Sequence, residues 1–111
     1  MTAVDAAIVF DCEFLTAPGA PRRFWCGPND PDPVVAQLGA IKVGLGGDFP
    51  LLDRLRCVIA PRGRDGGRLA LDPLFVQLTG IGEEHIDAEG VELGDALDRL
   101  DDFSSGAKIW S

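Results

Sequence analysis

Apolar positions come in short runs in the first half of the chain and at helical spacing in the second. Ala7-Ile8-Val9-Phe10 leads straight into Asp11-Cys12-Glu13-Phe14-Leu15. Such a run reads as a strand buried in the middle of a sheet, from about Ala6 to Glu13. Residues 1–5 read as a loose lead-in. Val34 to Val43 has the pattern of a second strand, and Gly44-Leu45-Gly46-Gly47-Asp48 is a turn signal. A third strand follows from about Leu51 to Ala60, which makes strands two and three a hairpin. In that third strand Leu55, Cys57 and Ile59 share one face and Arg54 and Arg56 the other. This is the alternation of an outer strand with one wet face.

The period then changes. Asp72 caps and Pro73 opens a short helix that runs to about Thr79 and ends at Gly80. Glu83 to Asp87 reads as a further helical turn. Leu93, Ala96, Leu97, Leu100 and Phe103 fall on one helical stripe. Asp95, Asp98, Asp101 and Asp102 lie largely off it and read as a solvated face. Ser104-Ser105-Gly106 stops this helix, and Ala107 to Ser111 opens another strand. Between strands one and two, Phe14 to Pro33 holds Pro18, Gly19, Pro21, Gly27, Pro28, Pro31 and Pro33. It can be neither a helix nor a central strand. A loop this long, leaving directly from the acids, is expected to border the same site, with Phe24-Trp25 as its apolar anchor.

Composition narrows the class. The chain has 111 residues, 46% hydrophobic and 25% charged, the balance of one small globular domain. No apolar run approaches membrane-spanning length, and the N-terminus lacks a secretory pattern. A cytoplasmic protein without a membrane partner is expected. Cys12, Cys26 and Cys57 are an odd set without paired spacing, which argues against a disulfide framework and a zinc site and for free thiols. The net charge of −8 works against non-specific nucleic-acid binding. Arginines nevertheless cluster at Arg22-Arg23, Arg54 with Arg56, and Arg62, Arg64 and Arg68. A solvated surface is the reading favoured for those clusters over phosphate contacts.

The chemistry concentrates at Asp11 and Glu13. At i and i+2 on a strand they project from one face and repel each other. In low dielectric such a pair survives if one acid is protonated or a cation lies between them. Hard oxygen ligands on a rigid strand suit Mg²⁺ or Mn²⁺. Asp-x-Glu alone is a weak signal, and a solvated pair of acids at a strand end is the plain alternative. His85, in a polar Glu-Glu-His turn, reads as a surface histidine. Haloacid-dehalogenase-type phosphatases also end a first strand in acids. Asp11-Cys12-Glu13-Phe14-Leu15 breaks their pattern at two positions, and the hairpin that follows fits a doubly wound sheet badly.

The order of the segments is more specific than any one motif. Ile-Val-Phe-Asp11-Cys-Glu13-Phe is followed by Val-Val-Ala-Gln37-Leu-Gly39-Ala-Ile. Then come Leu78-Thr79-Gly80-Ile81, the amphipathic helix and Ile109-Trp110-Ser111. The series resembles the DEDD family of 3′–5′ exonucleases, the group of the polymerase proofreading subunit, ribonuclease T and oligoribonuclease, over about residues 6–111. The resemblance implies an α/β mixed sheet of the ribonuclease H-like fold: an antiparallel three-stranded meander, then helices alternating with parallel strands. It implies that Asp11 and Glu13 are catalytic and bind a pair of Mg²⁺ or Mn²⁺ ions. It places Phe14 and Thr16 against the terminal nucleotide, and Leu78, Thr79 and Ile81 around the last base. Plain core packing is the alternative for Leu78 and Ile81.

The implied activity is hydrolysis at a single-stranded 3′ end of DNA or RNA with two ions about 4 Å apart. Four carboxylates and a histidine base serve that chemistry in the family. The second-motif aspartate is expected shortly after Trp110-Ser111 and the third motif later still. Residues 1–111 therefore read as the N-terminal portion of one exonuclease domain, catalytically incomplete alone. A sheet with a parallel strand but one substantial helix also calls for a further covering layer. The alternative is a non-catalytic nucleic-acid- or protein-binding remnant of the same scaffold.

Overall fold

The computed structural model describes residues 5–105 and 107–110. Most of the expected lead-in, Gly106 of the helix stop and Ser111 of the last strand lie outside the described residues. Four strands form one sheet: β1 (Ala6–Phe14), β2 (Val35–Gly44), β3 (Leu51–Val58) and β4 (Lys108–Trp110). Three helices, α1 (Pro73–Thr79), α2 (Glu83–Glu89) and α3 (Leu93–Ser104), lie between β3 and β4. The sheet order is β3-β2-β1-β4. β2 is antiparallel to β1 and to β3, and β4 is parallel to β1. This is the meander followed by helices and a parallel strand that the family resemblance implies, and it contains the hairpin of β2 and β3 that the sequence pattern predicts.

Local chemistry sets the helix boundaries. Asp72 Oδ1 accepts a hydrogen bond from the Leu74 N–H at 2.8 Å, a cap worth about 1 kcal/mol. Pro73 occupies the first turn, where its missing N–H costs nothing. Gly80, at φ 74°, takes the left-handed position that ends α1. In α2 the Gly82 N–H donates to His85 Nδ1 at 2.9 Å, so the imidazole satisfies a helix end.

Register sorts the sheet into two unlike faces. Cross-strand partners run Phe10–Ala40–Leu55 and Cys12–Leu38–Cys57 on one face. α3 covers that face, and Ile8, Leu38, Ala40, Cys57, Ile59, Ala96 and Leu100 form one core cluster. A second cluster, Leu15, Ala36, Val58, Phe75, Ile81 and Ile86, fastens α1 and α2 to the far end of the sheet. The other face carries the rows Val9–Ile41–Arg54 and Asp11–Gly39–Arg56. Val9 is 43% and Ile41 39% exposed, so no described element covers them.

Two expectations are corrected. Leu93 and Leu97 belong to the apolar stripe of α3, yet both are exposed. The helix meets the sheet along the narrower seam of Ala96, Leu100 and Ser104 at i, i+4 and i+8, which turns Leu93 and Leu97 to its flank. Phe24 does not anchor the long loop, because its ring is exposed. Trp25 does so alone, with its indole Nε1–H donating to the Leu15 carbonyl at 2.9 Å. Phe24 and Trp25 both take positive φ, 52° and 56°, a local strain that the Trp25 hydrogen bonds offset.

Phe75 is fully buried at the centre of the second cluster. Phe75→Ala is expected to lower stability by about 3–5 kcal/mol in denaturant unfolding. Leu97→Ala is expected to stay within about 0.5 kcal/mol of the parent. Equal losses would contradict this division of α3 and the second cluster into flank and core.

Candidate metal centre

β1 is interior to the sheet, and its alternation decides which side chains reach water. Ile8, Phe10 and Cys12 turn towards α3, whereas Asp11 and Glu13 turn to the open face, about 6.7 Å apart at their Cα atoms. Asp11 lies opposite Gly39 and Glu13 opposite Gln37. A Cβ placed on Gly39 would meet nothing within 4 Å, so the flank of Asp11 is bare. Asp11 Oδ1 accepts a hydrogen bond from the neighbouring Cys12 N–H at 2.8 Å. Among the described residues neither carboxylate forms an ion pair.

This geometry alters one part of the sequence argument. Both acids are exposed, so water screens their repulsion to less than about 1 kcal/mol. A cation is therefore not needed to make the pair tolerable. What favours a cation is the donor set itself: two ionisable oxygen ligands, side by side, fixed by a paired strand and not engaged by arginine. Such donors suit Mg²⁺ or Mn²⁺. Among the described residues no group of three or more His, Cys, Asp or Glu comes together, so Asp11 and Glu13 are a partial set.

Cys12 sits between the acids in sequence but faces the core. Burial, and then the negative charge of Asp11 and Glu13, push its thiol pKa up. The shift disfavours the thiolate, the form in which a cysteine acts as nucleophile or ligand. Cys26 and Cys57 are free thiols as well.

The other candidates divide. Phe14 follows Glu13 and is 44% exposed, but it lies opposite Val35, which packs on the α3 cluster, so it stands on the other face of the sheet from the two acids. Thr16 lines a cleft of about 450 Å³ with Leu15, Asn29, Asp30, Leu71 and Asp72. Leu78 projects from α1, 69% exposed. Thr79 has its hydroxyl engaged, donating to the Phe75 carbonyl at 2.8 Å and accepting from the Ile81 N–H at 3.1 Å. Ile81 is buried in the second cluster with Leu15, which is the core-packing alternative for that residue. Asp11 and Glu13 are thus brought together on one face, Phe14 is turned to the other, and Thr16 lines a cleft that begins at Leu15. Asp95, Asp98, Asp101 and Asp102 are exposed, as a solvated helix face requires.

Sequence reasoning missed how firmly the long loop is clamped. Arg23 Nε donates to Asp30 Oδ2 at 2.9 Å and Nη2 to Oδ1 at 2.6 Å, while Nη2 also reaches the Pro18 carbonyl. The Gly27 N–H donates to Asp30 Oδ2 at 2.8 Å. Arg62 binds Glu92, Arg64 binds Asp32, and Arg68 binds Glu83 and Asp87. These arginines tie loops together, and no composition signal distinguishes them from a binding patch.

No protein-family model matches the sequence, and no curated protein matches it. Solved structures do. A full-length 3′-exonuclease superposes with a TM-score of 0.64 at 14% identity, covering 94% of this chain and 30% of its own. The exonuclease of an ExoI/SSB-Ct complex gives 0.61 at 19% identity, covering 96% and 20%. A 3′-exonuclease in specific recognition of a histone mRNA stem-loop gives 0.60 at 14%, covering 95% and 41%. The fold is that of the 3′-exonucleases. The chain spans well under half the length of each of these exonucleases.

The clamp of this exonuclease-fold loop yields a pH signature. The Arg23 guanidinium, by its hydrogen bond to the carboxylate, holds the Asp30 pKa below the ordinary value of 3.8. A lowered carboxyl pKa stabilises the folded state fully above that ordinary value, and the contribution fades as pH falls through the lower native one. Between about pH 5 and pH 2 the melting temperature of the parent is expected to fall more steeply than that of Asp30→Asn. Parallel curves would show that the clamp carries no pH-linked stability.

Proposed function

We propose that residues 1–111 carry the first metal-binding motif of a DEDD-type 3′–5′ exonuclease acting on single-stranded 3′ ends. One observation carries the reading. On an exonuclease fold, an interior strand presents two adjacent carboxylates, on an open face, with no cation of the described chain engaging them. Asp11 and Glu13 would be this chain's ligands to the ions. Bound Mg²⁺ or Mn²⁺ would supply an activated water and charge stabilisation for the departing 3′ oxygen. Thr16 offers the terminal nucleotide a hydroxyl in the cleft next to the end of β1. Leu78 offers exposed apolar surface for the last base. A neighbour that recognises a histone mRNA stem-loop makes RNA as eligible a polymer as DNA.

The remaining ligands and the general base are proposed to come from chain beyond these residues. His85 is not that base, because its Nδ1 is occupied at the start of α2.

In an extended protein that includes the later motifs, Asp11→Asn is expected to cut Mg²⁺-dependent turnover by more than about 100-fold without shifting the melting temperature. Unchanged turnover would remove Asp11 from the chemistry. Residues 1–111 alone are expected to trim a 5′-labelled oligonucleotide no faster than metal alone. Vigorous trimming by this chain would show that its own residues complete the site. An extended protein that binds a 3′ end without cutting it would point instead to a non-catalytic remnant.

A further inference from the structure

We propose that Arg54 and Arg56 are a landing for the phosphate backbone of the single strand whose 3′ end lies at Asp11 and Glu13. The assignment of the 3′ end rests on the exonuclease reading; the phosphate contact does not.

The geometry comes from register. Asp11, Gly39 and Arg56 form one row across β1, β2 and β3, and Val9, Ile41 and Arg54 form the next. Cross-strand partners share a face, so both arginines stand on the carboxylate side of the sheet, two strand spacings or about 9.6 Å from β1. Gly39 has no side chain to stand between Asp11 and Arg56. A chain laid across this face would pass from the acids over bare backbone to two guanidinium groups.

Charge argues the same way. Arg23, Arg62, Arg64 and Arg68 each engage an acid. Among the described residues Arg54 and Arg56 engage none, although the protein carries 18 acids to 10 basic residues. Arg99 likewise has no acid partner among the described residues, but it lies on α3, which covers the other face of the sheet. In an acidic protein, a pair of guanidinium groups left unneutralised beside the acids is where an anionic polymer finds its counter-charge. Planar forks with several donors suit phosphate oxygens, and Val9 and Ile41 offer the bases an apolar floor.

The test is the salt dependence of binding. The ligand is an oligothymidylate with a phosphorothioate at its last linkage, followed by fluorescence anisotropy in Mg²⁺. For single strands the slope of log K against log salt is about −0.7 for each phosphate neutralised. Arg54→Ala/Arg56→Ala is expected to weaken binding and to make the slope shallower by about 1.4. Arg54→Lys/Arg56→Lys should retain the parent slope, and Arg99→Ala, on the other face, should leave it unchanged. Melting temperatures of all three variants report on folding. An alanine pair with the parent slope, a comparable change in the Arg99 variant, or a parent that does not bind the strand would each overturn the proposal. A covalently closed circle of the same length has no 3′ end. If it binds as tightly as the linear strand and the alanine pair still loses slope, the landing stands and the 3′-end reading falls.

Discussion

Two carboxylates at i and i+2 of a paired strand cannot turn away from each other. The backbone fixes both on one face, and the neighbouring strand holds that backbone in place. In this protein the constraint acts where β1 alternates between a covered and an open side. Ile8, Phe10 and Cys12 supply the hydrophobic attachment to α3, and in doing so they commit Asp11 and Glu13 to water. Packing on one face therefore preorganises ligands on the other. A one-residue slip of β1 against β2 would bury both acids and expose Ile8, which is why the register is so strongly specified.

The surroundings reinforce that arrangement from both ends. Leu15, immediately beyond the acids, reverses direction into the second cluster with Phe75 and Ile81. Its carbonyl receives the Trp25 indole, and its N–H donates to Val34 O at 2.8 Å. The long loop is consequently fixed where it leaves β1 and fixed again by Arg23 and Asp30, whose side chain is only 2% exposed. A proline-rich stretch with one short 3-10 turn thereby becomes a rigid border to the site rather than a tether.

Strands, helices and their order were legible because they rest on periodicity and on strong punctuation: Gly44 to Asp48 at the hairpin, Asp72-Pro73 and Gly80 around α1. The candidate site was legible for the same reason, since a strand period of two puts Asp11 and Glu13 together without further information. What could not be read was partner choice. Arg23 and Arg56 look alike in sequence, yet one is folded onto a nearly buried carboxylate and the other stands free of acid partners. That difference depends on loop paths that no local pattern encodes. The seam of α3 was also hidden, because a stripe five residues wide says nothing about how much of it the sheet will meet. The screening of the two acids by water was missed because burial of a strand interior does not extend to its end.

Among the described residues β3 is the outermost strand of the sheet; Val91 bonds its outer edge at Val58 and Ala60, and the peptide groups before Val58 have no partner strand. A second copy could add there, antiparallel, and continue the ladder. In the registers centred on Arg54 or Leu55, however, arginine would be set directly against arginine, because side chains of one face must oppose each other. The like charges make such self-templated growth unfavourable. In those registers the arginines of the sheet's positive corner also oppose the pairing of one β3 edge with another.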